Sequence, residues 1–330
     1  MRGIVRKSVF VMALVLGFSL MVRRGEAGET TRVRANAFPG VSTLAIHAAQ
    51  AQGFYAKRGL EVELQLTPNS QAQREGLAQR RFEFAYTGVD NAVALVDVAK
   101  VDAIIVMGGD SGMNQLFAQP EIQSYADLRG KTVIVDAPNT AFALLLYKML
   151  QLNGLQKGDY VVKPVGGTSV RFEALRKDKS NAASMLNPPF TVLAEKEGFR
   201  SLGLAVRAIG PYQGPGVAVL RSWAQANADV LVRYIQAHVE ALRWILSPAN
   251  KDEAVKLMSE RLKLSPDVAA KTYETITDPA TGFARDARFD LEGFRNTVKL
   301  RAELSGQGGA PQPPEKYIDL SYYERALAGL

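Results

Sequence analysis

The sequence predicts an α/β protein of two lobes, each a mainly parallel sheet flanked by helices, joined by a pair of crossover segments. Three observations carry this: strands and amphipathic helices alternate from Thr31, the alternation restarts after Asn114, and helices dominate beyond Gly210. Alternating strands and helices build a parallel sheet covered on both faces. In the first series, strand 31–37 precedes helix 43–52, strand 60–66, helix 70–80, strand 82–86, helix 90–98 and strand 101–107. Helix 43–52 has Ser42 or Thr43 as its N-cap and Gly53 as its stop. Glu61-Val62-Glu63-Leu64 then alternates polar with apolar residues, as a half-buried strand does. The second series runs strand 115–118, strand 132–135, helix 140–153, strand 160–164, helix 168–178, strand 182–186, helix 189–197 and strand 200–206. Gly216–Leu220 supplies one further strand. Helices 222–246, 250–262, 265–276, 290–304 and 319–328 follow, with Ser305–Pro314 as a Gly- and Pro-rich surface loop. These helices are too poor in apolar positions for a third sheet domain. Residues 28–112 are therefore assigned to lobe 1, 113–206 to lobe 2, and 207–330 to a return onto lobe 1.

Short motifs add a resemblance. The run Gly53-Phe54-Tyr55, then Lys57, Gly59-Leu60 and Val62, follows an apolar helix and leads into a strand; Asp127-Leu128-Arg129-Gly130-Lys131 precedes the strand Thr132–Val135. In order and spacing the chain resembles the periplasmic substrate-binding proteins of ABC importers, specifically the nitrate, sulfonate and taurine group. It is also similar to the proteins that bind pyrimidine precursors of thiamine. The resemblance implies a type II periplasmic-binding-protein fold and a small solute bound between the lobes. It also implies delivery to an ABC permease and its ATPase at the inner membrane, with no cofactor, and a monomeric receptor.

The N-terminus agrees with export. Arg2, Arg6 and Lys7 precede an uncharged, almost wholly apolar stretch over 8–22, and Gly25-Glu26-Ala27 offers small residues for cleavage, so residues 1–27 read as a signal peptide. Fifteen residues at about 1.5 Å each fall short of a hydrocarbon core about 30 Å thick. The chain has no cysteine, which excludes N-terminal lipidation, disulfides and cysteine metal ligands. A periplasmic, unlipidated protein stabilised by its core is expected. Residues 1–27 hold five cations and one acid, and their removal lowers the formal charge from +7 to +3. No basic run of nucleic-acid type remains. The densest cluster, Arg171, Arg176, Lys177 and Lys179, is broken by Glu173 and Asp178 and reads as a solvated helix face.

In an open parallel sheet, ligands bind at the carboxyl ends of the strands. The candidate ligand-binding residues there are Phe38, Ser42, Thr43, Ser70, Tyr86, Thr87, Asp90 and Asp110 from the first lobe. From the second come Asn139, Thr140, Ala141, Gly167, Thr168 and Asn187. The segments opening helices at Thr140 and Thr168 can present backbone N–H groups to a small oxyanion. Ordinary helix capping explains the same residue types. Phe38, Tyr86, Phe142 and Phe190 are candidate walls for an organic group, and Asp90, Asp110 and Asp136 would repel a bare anion or pair with an amine. Anionic and aromatic solutes both remain open.

Enzyme readings fare worse. His47 and His238 are the only histidines, sit in apolar helical patterns and read as structural, and no metal-ligand spacing surrounds them. Gly109-Asp110-Ser111-Gly112 superficially resembles a trypsin-like nucleophile segment, but it ends an α/β crossover. The related pyrimidine synthases use a cysteine-rich segment that this chain lacks. A solute-sensing module without transport is the remaining alternative of another class.

Overall fold

In the computed structural model, residues 30–110, 112–306 and 312–330 are described. The expected signal peptide, Ser111 and part of the 305–314 loop lie outside them. The strands form two five-stranded sheets. The first contains β1 (Thr31–Ala37), β2 (Leu60–Leu66), β3 (Phe84–Gly88), β4 (Ala103–Gly108) and β10 (Pro215–Leu220), in the order β2-β1-β3-β10-β4. The second contains β5 (Gln115–Ala118), β6 (Thr132–Val135), β7 (Val161–Pro164), β8 (Asn181–Leu186) and β9 (Arg200–Leu204), in the order β7-β6-β8-β5-β9.

Each sheet is parallel except for one strand. β10 runs antiparallel to β3 and β4, and β5 runs antiparallel to β8 and β9. These are the strands that follow the two crossings between lobes. The chain leaves β4 at its carboxyl end and enters the other sheet from that same, cleft-facing side, so the next strand must point the opposite way. The same holds between β9 and β10.

Both sheets are covered on both faces, as parallel sheets require. Along β3, Phe84 belongs to one apolar cluster and Ala85 to another; Ile104 and Ile105 of β4 divide likewise. In the second lobe Leu116 and Val133 face one core, while Phe117 and Ile134 face the other. The first face is filled by α1 (Leu44–Ala51) and α9 (Ala228–Leu246), where Phe84 stacks on Tyr234 with ring centroids 3.6 Å apart. Gly59, at φ 63°, ends the turn before β2 in a backbone conformation that favours glycine.

The remaining helices are α2 (Ser70–Ala78), α3 (Val89–Asp97), α4 (Ala141–Leu152), α5 (Thr168–Lys177), α6 (Phe190–Lys196), α7 (Ala205–Ile209), α8 (Arg221–Ala226), α10 (Lys251–Leu262), α11 (Pro266–Ile276), α12 (Leu291–Leu304) and α13 (Ser321–Ala328). Helix α12 packs on α3 from the first lobe and α4 from the second, and α11 meets α6. The C-terminal helices thus touch both lobes.

Two elements differ from expectation. The helix expected over 222–246 breaks at Asn227, whose side-chain amide donates to the Trp223 carbonyl at 2.9 Å. Such local bonding competes with the helical ladder. The strand expected to reach 206 ends at Leu204, because the Ala205 N–H turns to the Asn114 carbonyl and opens α7.

At the end of β4, Gly108 lies against the 285–288 turn. A β-carbon there would sit 2.3 Å from the Arg288 carbonyl oxygen. Gly108→Ala is expected to lower stability by about 1–3 kcal/mol, read as a lower urea midpoint at unchanged m-value.

Candidate functional site

The carboxyl ends of the two sheets face each other across a cavity with about 90 Å³ open to the centres of water molecules. Its lining comes from both lobes. Phe38, Ser42, Ser70, Tyr86, Thr87 and Asp110 line it from the first; Thr140, Ala141, Gly167, Thr168 and Asn187 line it from the second. Eleven of the fourteen residues selected from the sequence are thereby brought together.

The other three are placed elsewhere. Thr43 is buried in a 3-10 turn preceding α1, where its hydroxyl donates to the Gly40 carbonyl. Asp90 is occupied by Arg301 of α12, whose Nη1 lies 3.1 and 3.0 Å from its two carboxylate oxygens. The same guanidinium reaches the Asn139 carbonyl at 3.3 Å, so Asn139 is held beside the ion pair and outside the lining. Ser42 lines the cavity without capping α1; its hydroxyl donates to the Phe38 carbonyl. Of the aromatic candidates, Phe38, Tyr86 and Phe142 are walls, whereas Phe190 packs on Phe172 in the second core.

The lobes touch across the cleft. The Ser70 N–H donates to Asp136 Oδ2 at 2.9 Å, and the Ser70 hydroxyl bonds the same oxygen. The Gly167 N–H donates to the Pro68 carbonyl at 2.8 Å, and the Val41 N–H to the Pro188 carbonyl at 3.4 Å. Asp136, at the end of β6, therefore serves the first turn of α2 in the opposite lobe, where a negative group is favoured by the helix dipole.

Arg171 is the main residue that the sequence reading misplaced. Expected on a solvated face, it is only 2 % exposed and lines the cavity. Nε donates to the Ser184 hydroxyl at 2.9 Å, Nη1 to the Gly166 carbonyl at 2.6 Å, and Nη2 to the Thr168 hydroxyl and the Met185 carbonyl at 3.1 and 3.0 Å. Burial lowers its pKa to about 10 while nearby Asp136 opposes the shift, so the guanidinium stays charged at neutral pH. Because Thr168 accepts from Arg171, its own hydroxyl proton is left for the cavity. Thr87 is arranged similarly: its hydroxyl accepts from the Asn91 amide at 3.1 Å, and Asn91 in turn accepts from Arg74. No side chain caps α4 at Thr140 or α5 at Gly167, so both helix N-termini open toward the cleft without an internal anion.

On the acceptor side, Asp110 Oδ1 receives the Gly112 and Met113 N–H groups at 2.9 and 3.3 Å. Burial nevertheless raises its pKa to about 6. Asn187 Oδ1 is buried and has no partner among the described residues. His238, Leu242 and Phe283 complete the wall, and the helical pattern around His238 gave no sign of this role. Among the described residues no His, Asp and Glu cluster is arranged to hold a metal ion, and no helix is long and apolar enough to cross a membrane.

Comparison with known proteins matches the NMT1/THI5-like family model to residues 42–251. No curated protein sequence matches the chain. Among solved structures, a protein of Bordetella bronchiseptica RB50 superposes with TM-score 0.79 at 19% identity, covering 90% of this chain and 97% of that one. The periplasmic nitrate-binding protein NrtA of Synechocystis PCC 6803 gives 0.76 at 13% identity, covering 92% and 89%. The alkanesulfonate-binding protein SsuA of Xanthomonas axonopodis pv. citri, bound to MOPS, gives 0.67 at 17% identity, covering 83% and 91%. At these identities the structures share a fold, the two-lobed α/β architecture.

Proposed function

The chain belongs to the NMT1/THI5-like family, and on that premise we propose that it is an exported solute receptor of an ABC importer, not an enzyme. The observation that carries the reading is a single cavity to which both lobes present unspent donors, with cross-cleft hydrogen bonds around its rim. A solute that touches both lobes favours the closed form and can present it to a membrane permease.

The solute we assign is a small anion such as a sulfonate, taurine or nitrate. Buried Arg171, the Thr87 and Thr168 hydroxyls and the N-termini of α4 and α5 supply positive potential and donors without a mobile surface cation. Residues 1–27 direct export to the periplasm in this reading. The nitrate- and sulfonate-binding proteins of the same fold support it. A second reading, a planar solute such as a thiamine-pyrimidine precursor, is favoured by the aromatic walls Phe38, Tyr86, Phe142 and Phe283.

The test is a thermal-shift panel of nitrate, taurine, ethanesulfonate, benzoate and 4-amino-5-hydroxymethyl-2-methylpyrimidine. A true ligand at a hundredfold its Kd is expected to stabilise the protein by about 2.7 kcal/mol. A panel in which no compound raises the melting temperature would remove the proposal. A response to the pyrimidine alone would favour the second reading.

A further inference from the structure

We propose that His238, fixed by Tyr86 and Tyr234 as a hydrogen-bond donor, is a specificity-determining residue that selects a solute carrying an acceptor atom on the first-lobe side of the cavity. This rests on the receptor reading and extends it to the solute's polarity.

The chain of hydrogen bonds sets the tautomer. Tyr234 Oη donates to Tyr86 Oη at 3.1 Å, and Tyr86 Oη lies 2.7 Å from His238 Nδ1. With Tyr234 donating to it, Tyr86 still has its own proton to place, and among the described residues His238 Nδ1 is the acceptor within its reach. Burial holds both phenols well above their ordinary range, which keeps them protonated. Burial also pushes His238 down to about 3, so the ring is neutral at ordinary pH. A neutral imidazole whose Nδ1 accepts carries its hydrogen on Nε2. Among the described residues Nε2 has no protein partner, yet it is not one of the sealed, unpaired polar atoms; the ring belongs to the cavity wall together with Leu242, one helical turn on.

The result is a donor that cannot be inverted cheaply. Turning His238 into an acceptor would move its proton to Nδ1 and leave the buried Tyr86 hydroxyl without an acceptor. The opposite lobe presents a matching donor, the Thr168 hydroxyl held by Arg171. A solute with acceptors at both ends satisfies both lobes at once. One with an N–H toward His238 would set donor against donor and forfeit that hydrogen bond.

The chain has only two histidines, so side-chain nitrogen NMR of protein labelled at histidine separates them readily. In ligand-free protein at pH 7, His238 is expected as a single tautomer protonated at Nε2, and Tyr86→Phe is expected to abolish that single form. Benzoate, chosen as an acceptor-bearing aromatic probe, is expected to shift the Nε2 proton and to bind Tyr86→Phe about tenfold more weakly. A proton on Nδ1, or a tautomer mixture in the unsubstituted protein, would overturn the assignment whether or not benzoate binds. Thermal stabilisation by benzoate with no change at Nε2 would also overturn it, leaving the receptor reading intact. The expected tautomer without stabilisation by any compound of the thermal-shift panel would instead sink the receptor reading, and the solute contact with it.

Discussion

Arg301→Met is expected to destabilise the protein by about 3–5 kcal/mol in urea unfolding, because it strands a buried carboxylate. Asp90 and Arg301 have side-chain exposures of only 1% and 6%. Even with its partner, burial raises the Asp90 pKa, since desolvation outweighs the opposing pull of Arg301 and Arg74. Removing the guanidinium leaves that burial cost nearly unopposed and also frees the Asn139 carbonyl from its donor. The pair itself is a different quantity. Replacing both charges by groups of similar volume often costs little, so Asp90→Asn combined with Arg301→Met is expected to recover at least half of the single-variant loss. Equal m-values with additive losses, or a single-variant loss below about 1 kcal/mol, would show that the pair is not the structural device described here.

The second large effect has the opposite sign. Asp110 has a pKa of about 6 in the fold against an ordinary 3.8, because burial disfavours its charge. The native state therefore binds a proton more tightly than the unfolded chain. Its stabilising contribution is complete below about pH 4, fades as pH rises through 6, and is gone above that. The difference corresponds to about 3 kcal/mol. Asp110→Asn keeps an oxygen for the Gly112 and Met113 N–H groups while removing the charge. It is expected to match the parent protein near pH 4 and to exceed it by about 2–3 kcal/mol at pH 7.5. Unfolding curves at pH 4, 5, 6 and 7.5 measure the divergence; parallel stability profiles would contradict it.

Much of the architecture is legible in the sequence because hydrophobic periodicity and turn chemistry are local signals. Helix α4 follows from its apolar run, and β4 and β8 from uninterrupted small and branched residues. The break at Asn227 does not show in the apolar spacing, which continues through it while the backbone leaves the helical region at φ −129° and ψ 36°.

In the site, position and occupation separate. Thr87, Asp110 and Thr168, selected as lying at strand ends, line the cavity, since parallel topology brings those ends to the cleft. The same rule selected Asp90, yet it cannot reveal that Arg301, 211 residues later, occupies the carboxylate. Arg171 and His238 failed for the matching reason. One sits in a charged run and the other in an apolar helix, and their roles arise from Ser184, Met185 and Tyr86, brought close only by tertiary packing. Composition near a residue reports its solvent exposure poorly when the partners are remote in sequence.

The position of β10 bears on the order in which the chain matures during synthesis. It lies between β3 and β4, so a nascent polypeptide that stops before residue 215 has a gap where the fourth strand belongs. The second sheet has all its strands by Leu204, whereas the first waits for a latecomer. Such long-range pairing is slow to form. A chain built in this way postpones compaction of its N-terminal half until the last strand of that sheet has been made.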